Sequence, residues 1–397
     1  METDASEATA VSFPMIASLL QITRSVRLLS VSREDTKRTK AQVDVHFNWI
    51  FVLIIGAVIL TFFLFVISRQ KAVSDQRLAA DVLADMELIL TGQGISVGRE
   101  DTVAIPELPL QFTCDDYGML TMTRRIGNAV LFAPSSVESE RLLTWTQEWD
   151  IPFKVSNLVY LTSPDIRYYL IYDPADDMAT QFAKELNSSL PERMNKRMKS
   201  IREAITITDE GDDRVRLVYI FPAEERLTLP AGLRNLNDKA VSALAIRKDL
   251  AGADAYRGGA SLGFYKKRGD QLEQDTIATP RGDRVGVYPS LGKGPLYGAV
   301  FADDFGLYEC SMRKAIRRMK LIAMIHNQRA NTLLTLASPR CVTYYSIAPF
   351  TSFALLNPDD LTNRIRAPGA VSELFSTAEI LENLNRNTIR ASCTTLY

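Results

Sequence analysis

Histidine is nearly missing from this chain: its 397 residues include two, His46 and His326. That scarcity argues against a histidine-pair mechanism and against a multi-histidine metal site. An excess of one sign of charge is missing too, with 46 Lys and Arg against 47 Asp and Glu. No global field therefore recruits nucleic acid or an acidic partner, and no nucleic-acid partner is expected. Cysteine is sparse, and Cys114, Cys310, Cys341 and Cys393 all fall in the later part of the chain. What the sequence does not lack is apolar and aromatic content, which argues against wholesale disorder.

Charge vanishes altogether between Phe47 and Ile67. At 1.5 Å per residue that run makes a helix of about 30 Å, the thickness of a bilayer's hydrocarbon core. A buried core helix would keep one polar face, whereas this segment is apolar all round, with Trp49 near one end. The reading is a membrane span with the lipid bilayer as partner. Arg33, Lys37, Arg38 and Lys40 precede it, against Arg69, Lys71 and Arg77 after it, which points to a cytoplasmic N-terminus. Four cysteines beyond the span suit two disulfides in an oxidising space, and Asn187-Ser188-Ser189 is a glycosylation sequon. The expected layout is a cytoplasmic tail or leader over 1–41, a transmembrane and stalk helix over 42–94, and an extracytoplasmic α/β domain over 95–397. Arg24 and Arg27 break the short apolar patch of the tail, which reads as disordered in preference to a membrane-surface helix.

Lys40-Ala41-Gln42-Val43, just before the span, resembles the class III signal sequence of archaeal type IV pilins. The resemblance covers about 30 residues. It implies cleavage between Ala41 and Gln42, with the apolar helix kept in the mature protein and able to enter a filament core. The long leader, Asp44, His46 and the large outer domain depart from the pilin pattern. The wider layout, including the Cys-x-x-x-Tyr ending at Cys393 to Tyr397, is similar to that of uncharacterised single-pass archaeal surface proteins. That similarity implies no activity.

Beyond the span, Val73, Leu78, Val82, Met86 and Ile89 recur at helical spacing until Gly92 and Gly94, so the anchor is expected to continue as a stalk. The stripe would pack on its own domain, or serve a homo-oligomer or another surface protein. Strands are expected in "NAVLFAP", "VSNLVYL", "IRYYLIY", "RVRLVYIF", "VSALAIR" and "LYGAVF". A helix carrying Leu142, Trp145 and Trp149 is expected behind a Ser135–Glu138 capping box, and another starting with Asp173 as N-cap and Pro174 at N1. Loops and short hairpins are expected over much of 223–295, then helices near 305–334 and 371–387. The alternation predicts an α/β domain with a mixed sheet.

Three apolar runs end in paired acids: Asp176-Asp177, Glu224-Glu225 and Asp303-Asp304. In an open α/β sheet ligands bind beyond the carboxyl ends of parallel strands, so Asp177, Glu225 and Asp303 together would hold Mg²⁺ or Mn²⁺ for a tethered hydrolase. The competing reading is that these acids cap helices and complement their dipoles, and it is preferred; no cofactor is predicted. Arg313, Lys314, Arg317 and Arg318 share one helical face that suits phosphates, acidic glycans or lipid headgroups, or is simply solvated and paired. "SLGKGPLYG" is rejected as a phosphate loop, since it lacks the Gly-Lys-Ser/Thr ending and precedes an expected strand. Arg281-Gly282-Asp283 reads as a turn. If 310 to 334 is one helix, Cys310 lies about 35 Å from its far end, which disfavours a bond to Cys341. The preferred pairing is Cys114–Cys310 with Cys341–Cys393. A structural or interaction role at the cell surface, with a pilin-like subunit as one form of it, is the reading preferred over the hydrolase.

Overall fold

The computed structural model describes residues 40–93, 98–208, 214–224, 226–248, 260–277, 284–345, 348–354 and 370–397. The expected tail over residues 1–39 and the Arg281–Asp283 turn lie outside these residues. Contacts divide the structure between Ala72 and Val73, inside the first helix, α1 (Lys40–Gln93).

In the first unit, the apolar part of α1 is packed against no other element among the described residues. Phe51 is 60% exposed, Leu60 62% and Phe63 57%. Its hydroxyls turn inward: Thr61 Oγ1 donates to the Ala57 carbonyl at 2.7 Å and Ser68 Oγ to that of Phe65 at 2.9 Å. A helix whose polar groups are all satisfied within itself is what lipid requires. Among the described residues it is the one helix long and apolar enough to cross a membrane.

The second unit starts with the last turns of α1. Nine strands follow in chain order. The first five are β1 (Glu100–Ala104), β2 (Leu110–Phe112), β3 (Asp116–Met119), β4 (Met122–Arg125) and β5 (Val130–Phe132). The next four are β6 (Ser136–Val137), β7 (Arg141–Asp150), β8 (Lys154–Thr162) and β9 (Arg167–Tyr172). Next come α2 (Asp177–Ser189), β10 (Lys196–Ser200), α3 (Ile201–Ala204), β11 (Val215–Ile220) and β12 (Val241–Lys248). Then follow β13 (Ala260–Arg268), β14 (Gln271–Gln274), β15 (Thr276–Ile277), β16 (Arg284–Val285) and β17 (Val287–Pro289). The chain ends in helices: α4 (Lys293–Phe301), α5 (Phe305–Leu336), α6 (Pro339–Val342), α7 (Ala348–Ala354) and α8 (Ala370–Arg390).

These elements form a mixed α/β domain with several sheets. The largest is ordered β10-β9-β11-β12-β13-β14, with β17 also on β13. Its first four strands run parallel and the rest antiparallel. Alternate residues along each inner strand enter different cores. Leu170, Val218, Ile220, Leu244 and Phe264 face the main core, and Ile171, Leu217, Tyr219, Ala243 and Tyr265 face another. Burial on both faces explains why these strands read as near-continuous apolar runs.

A second sheet, β1-β7-β8-β5, is also covered on both sides. Leu143, Trp145, Trp149, Leu158 and Tyr160 join the main core, while Leu142, Val159 and Leu161 turn to a third. That third core is closed by the small sheet β4-β3-β2-β6 and by Ala79, Val82, Leu83, Met86 and Leu90 of α1. The stalk stripe is thus shifted from the expected one. Val82 and Met86 are buried as expected, but Val73 and Leu78 stay exposed and Ala79, Leu83 and Leu90 complete the face.

Three local expectations are corrected. Residues 141–150 form β7, not a helix, because Trp145 and Trp149 stand four apart and that even spacing suits a strand as well as a helix. The helix expected with Asp173 as N-cap begins three residues later: Asp176 is its N-cap, accepting from Met178 N and Ala179 N, while Asp173 accepts from Ala175 N in the turn before it. "LYGAVF" is helical in α4, whose residues from Gly294 to Phe301 are all buried. An apolar surface on every side marks a fully buried helix, and a short run of that kind cannot be told from a buried strand by periodicity.

Helix α4 lies against the β7-β8-β5 sheet through two glycines. A Cβ on Gly294 would stand 2.7 Å from Leu158 Cδ1, and one on Gly298 would stand 2.7 Å from the Phe132 ring. Tyr160 Oη donates to the Gly294 carbonyl at 3.0 Å, and Trp149 Nε1 to that of Leu291 at 3.0 Å. A leucine tip can rotate aside, whereas a phenylalanine ring held in the core cannot. For Gly298→Ala, overpacking of about 1–3 kcal/mol outweighs a helix-propensity gain of roughly 1 kcal/mol. Chemical denaturation should show Gly298→Ala lowering stability, and lowering it more than Gly294→Ala does.

Candidate functional site

The strand-end acids were the leading candidates for chemistry, and the sheet separates them. Asp176 and Asp177 follow β9, whose last residue, Tyr172, pairs with Ile220 at the end of β11. Asp303 instead lies near Arg216, the second residue of β11, at the opposite end. Six strand residues put roughly 17 Å between those ends. Glu225 lies outside the described residues. Asp177 and Asp303 therefore do not share an ion, and the three-carboxylate metal site is not formed.

The aspartates of the other two pairs have local tasks, while Glu224 is exposed. Asp176 caps α2 and pairs with Lys248 Nζ at 2.7 Å, and the Lys248 hydrogen bond holds its carboxyl below the usual range. Asp177 sits exposed in the first turn of α2, where a negative charge complements the helix dipole. Asp303 accepts from Ser135 N at 2.7 Å and Ser135 Oγ at 3.1 Å. Burial raises its pKa, with the Ser135 bonds and the Arg216 charge opposing that shift. Asp304 caps α5 by accepting from Leu307 N at 2.9 Å, and it pairs with Lys266.

Near Asp303 lies a feature that sequence reasoning passed over. Arg216 is 2% exposed, yet its guanidinium donates to the carbonyls of Ala299, Val300 and Ala302 at the end of α4. Those carbonyls form the negative end of a buried helix, and the guanidinium caps them. Burial pushes the Arg216 pKa down to about 10, with the nearby Asp303 charge opposing. The signal was present in "RVRLVYIF", where a charged residue sits at a strand position with apolar neighbours on both sides.

"SLGKGPLYG" does lead into a helix, contrary to expectation, because α4 starts at Lys293 after Gly292 (φ 94°). Its rejection as a phosphate loop now rests on the missing Gly-Lys-Ser/Thr ending alone. A concavity of about 1080 Å³, mixed polar and apolar, opens between the 226–234 segment and β14, lined by Arg226, Arg234, Arg247, Tyr265, Gln271 and Gln274 among others. Arg247 is held there by the Glu224 carbonyl at 2.9 Å and by Tyr265 Oη at 3.1 Å. The sequence offered no motif for this surface, since its residues come from five separate segments.

The basic face of α5 divides in two. Lys314 pairs with Asp115 at 3.1 Å and donates to the Cys114 carbonyl at 2.6 Å, and Arg313 is half-buried. Arg317 and Arg318 are exposed. Asn187, in the sequon, is half-buried near the end of α2, and its carbonyl accepts from Lys196 Nζ at 2.6 Å.

Both expected cysteine pairs are bonded: Cys114–Cys310, with Cα atoms 5.7 Å apart, and Cys341–Cys393, 5.8 Å apart. Cys114, Asp115 and Cys310 would otherwise make a compact ligand group, but the two sulfurs are committed to each other. The second bridge explains the Cys-x-x-x-Tyr ending. After α8, Ser392 adopts φ 53°, Ser392 N donates to the Ile389 carbonyl, and Cys393 N donates to that of Thr388. This is a Schellman reversal, and it turns the chain back toward Cys341. Leu396 is fully buried, and the Tyr397 ring lies 5.9 Å from His326 and 6.0 Å from Phe153.

His326 is consequently a packing residue in an aromatic cluster. Burial lowers its pKa, and the Arg329 charge adds to this. The folded state then holds fewer protons than the unfolded one, so this stability contribution is complete above the unfolded value of about 6.5 and is lost as pH falls through that value toward the folded one. Thermal melting should show that His326→Phe weakens the loss of stability on going from neutral to mildly acidic pH. Replacing both Cys341 and Cys393 by Ser should cost about 2–4 kcal/mol in denaturant unfolding, the usual worth of a bridge closing a loop of this kind.

Comparisons with protein families, with curated proteins and with solved structures find no match.

Proposed function

We propose that this protein is a single-pass membrane protein whose α/β domain stands outside the cytoplasm and serves a structural or interaction role at the cell surface. One observation carries the reading: the apolar stretch of α1 has no protein partner among the described residues, and its Thr61 and Ser68 hydroxyls are satisfied within the helix. Exposed to water, some twenty such residues would be a severe aggregation liability; in lipid the aliphatic and Phe side chains favour insertion by several kcal/mol in sum. Two disulfides in the domain support an oxidising compartment for it, since cytosolic thiols are kept reduced. The basic residues flanking the span support an N-in, C-out orientation. Exposed Val73, Leu78 and Leu88 on α1 are the stalk positions at which a second copy or another surface protein would associate.

A filament-subunit reading is kept beside the plain anchor because α1 runs unbroken from Lys40. Cleavage after Ala41 would leave Gln42 at the head of an intact apolar helix, as in the pilin-like arrangement. In the native host, the protein should resist alkaline extraction from membranes, and protease added to sealed cells should digest the domain. A freely soluble product with four alkylatable thiols would end the proposal. Sequencing the mature N-terminus separates the two forms: Gln42 indicates a processed subunit, Met1 a plain anchor.

A further inference from the structure

Between Cys310 and Leu336, α5 carries six cations (Arg313, Lys314, Arg317, Arg318, Lys320 and Arg329) and no carboxylate. In a chain with 47 acidic residues, that imbalance is local and needs a cause. Core packing does not supply it, because Ile316, Met319, Ala323 and Ala330 form the buried side of the helix. Ion pairing does not supply it either: Lys314 is bound to Asp115, but Arg317 and Arg318 make no hydrogen bond or ion pair among the described residues. On the same outer side stand Leu321, Met324 and Ile325, exposed by 60%, 50% and 64%. With about 3.6 residues per turn, these three and the arginine pair form one continuous patch roughly 12 Å long.

We infer that this face of α5 docks on an anionic lipid bilayer. An apolar centre with a basic rim is the composition of helices that lie in a membrane interface, where the apolar side chains enter the headgroup boundary and the cations meet anionic lipid. A stretch of 27 residues without a carboxylate suits a diffuse negative surface, because no discrete ion pair sets a register. A rigid polyanion would engage the arginines and leave Leu321 and Ile325 in water. The inference rests on the anchor reading, under which the chain that bears this face is already fixed to a bilayer.

The test uses the full-length protein in nanodiscs, prepared either with zwitterionic lipid alone or with an added fraction of phosphatidylglycerol. Two chemical probes report on the face: oxidation of Met324 by hydroxyl radicals, and modification of Arg317 and Arg318 by phenylglyoxal, both read by mass spectrometry. Docking predicts that all three residues react several-fold more slowly in the anionic discs than in the zwitterionic ones, and that high salt removes the difference. The double variant Arg317→Glu, Arg318→Glu should restore Met324 oxidation in the anionic discs. Equal reactivity in both discs overturns docking while leaving the anchor intact. Protection that follows protein concentration in either lipid overturns it in favour of self-association. A chain that fails to enter discs at all removes the anchor reading, and docking with it.

Discussion

A charged group inside an apolar core persists only where its neighbours replace the water it has lost. Arg216 meets that condition through Nε and Nη2, which stand at the carboxyl end of α4 where three carbonyls would otherwise face the core without partners, while its Nη1 makes no hydrogen bond among the described residues. The strand position fixes the guanidinium, the guanidinium fixes the helix end, and the helix fills the space between two sheets. Removing either side would strand the other: a buried cation without acceptors, or a buried helix terminus without donors. The main core is organised about that contact, since β11 supplies the arginine while β5 and β8 receive the glycine face of α4.

Two-sided burial of both larger sheets follows. A sheet covered on one face would have shown alternating polarity, and the sequence would then have revealed which residues point inward. Here Leu217 and Val218 are neighbours in different cores, as are Leu142 and Leu143. Each strand therefore reads as a solid apolar run that announces a strand but not its place. This is also why α4 was read as a strand, because "LYGAVF" differs from such a run only in its Gly content, and the need for those glycines lies in the opposing Phe132 and Leu158.

What could be read locally was read well. The lipid-suited run, the strands at "VSNLVYL", "IRYYLIY" and "VSALAIR", the long α5 and α8, and both cysteine pairs follow from short-range rules of length, periodicity and reach. What depended on tertiary placement was not legible. The acid pairs look alike in sequence, yet Asp176 and Asp303 lie at opposite ends of the strands, because the run before Asp303 is a helix and not a strand of that sheet. The concavity beside β14 draws on residues from distant segments, and only folding brings Arg226 and Gln274 to a common surface.

The rim strands of the largest sheet have a further consequence. Strand β10 closes one edge with the sequence KRMKS, and the four-residue β14, QLEQ, closes much of the other. An open edge invites strand addition from a neighbouring molecule, and clustered lysine and arginine or a short polar ending discourages it through repulsion and hydration. Along this sheet, then, contact between crowded copies is left to side chains, which can be released again without prying a strand pair apart.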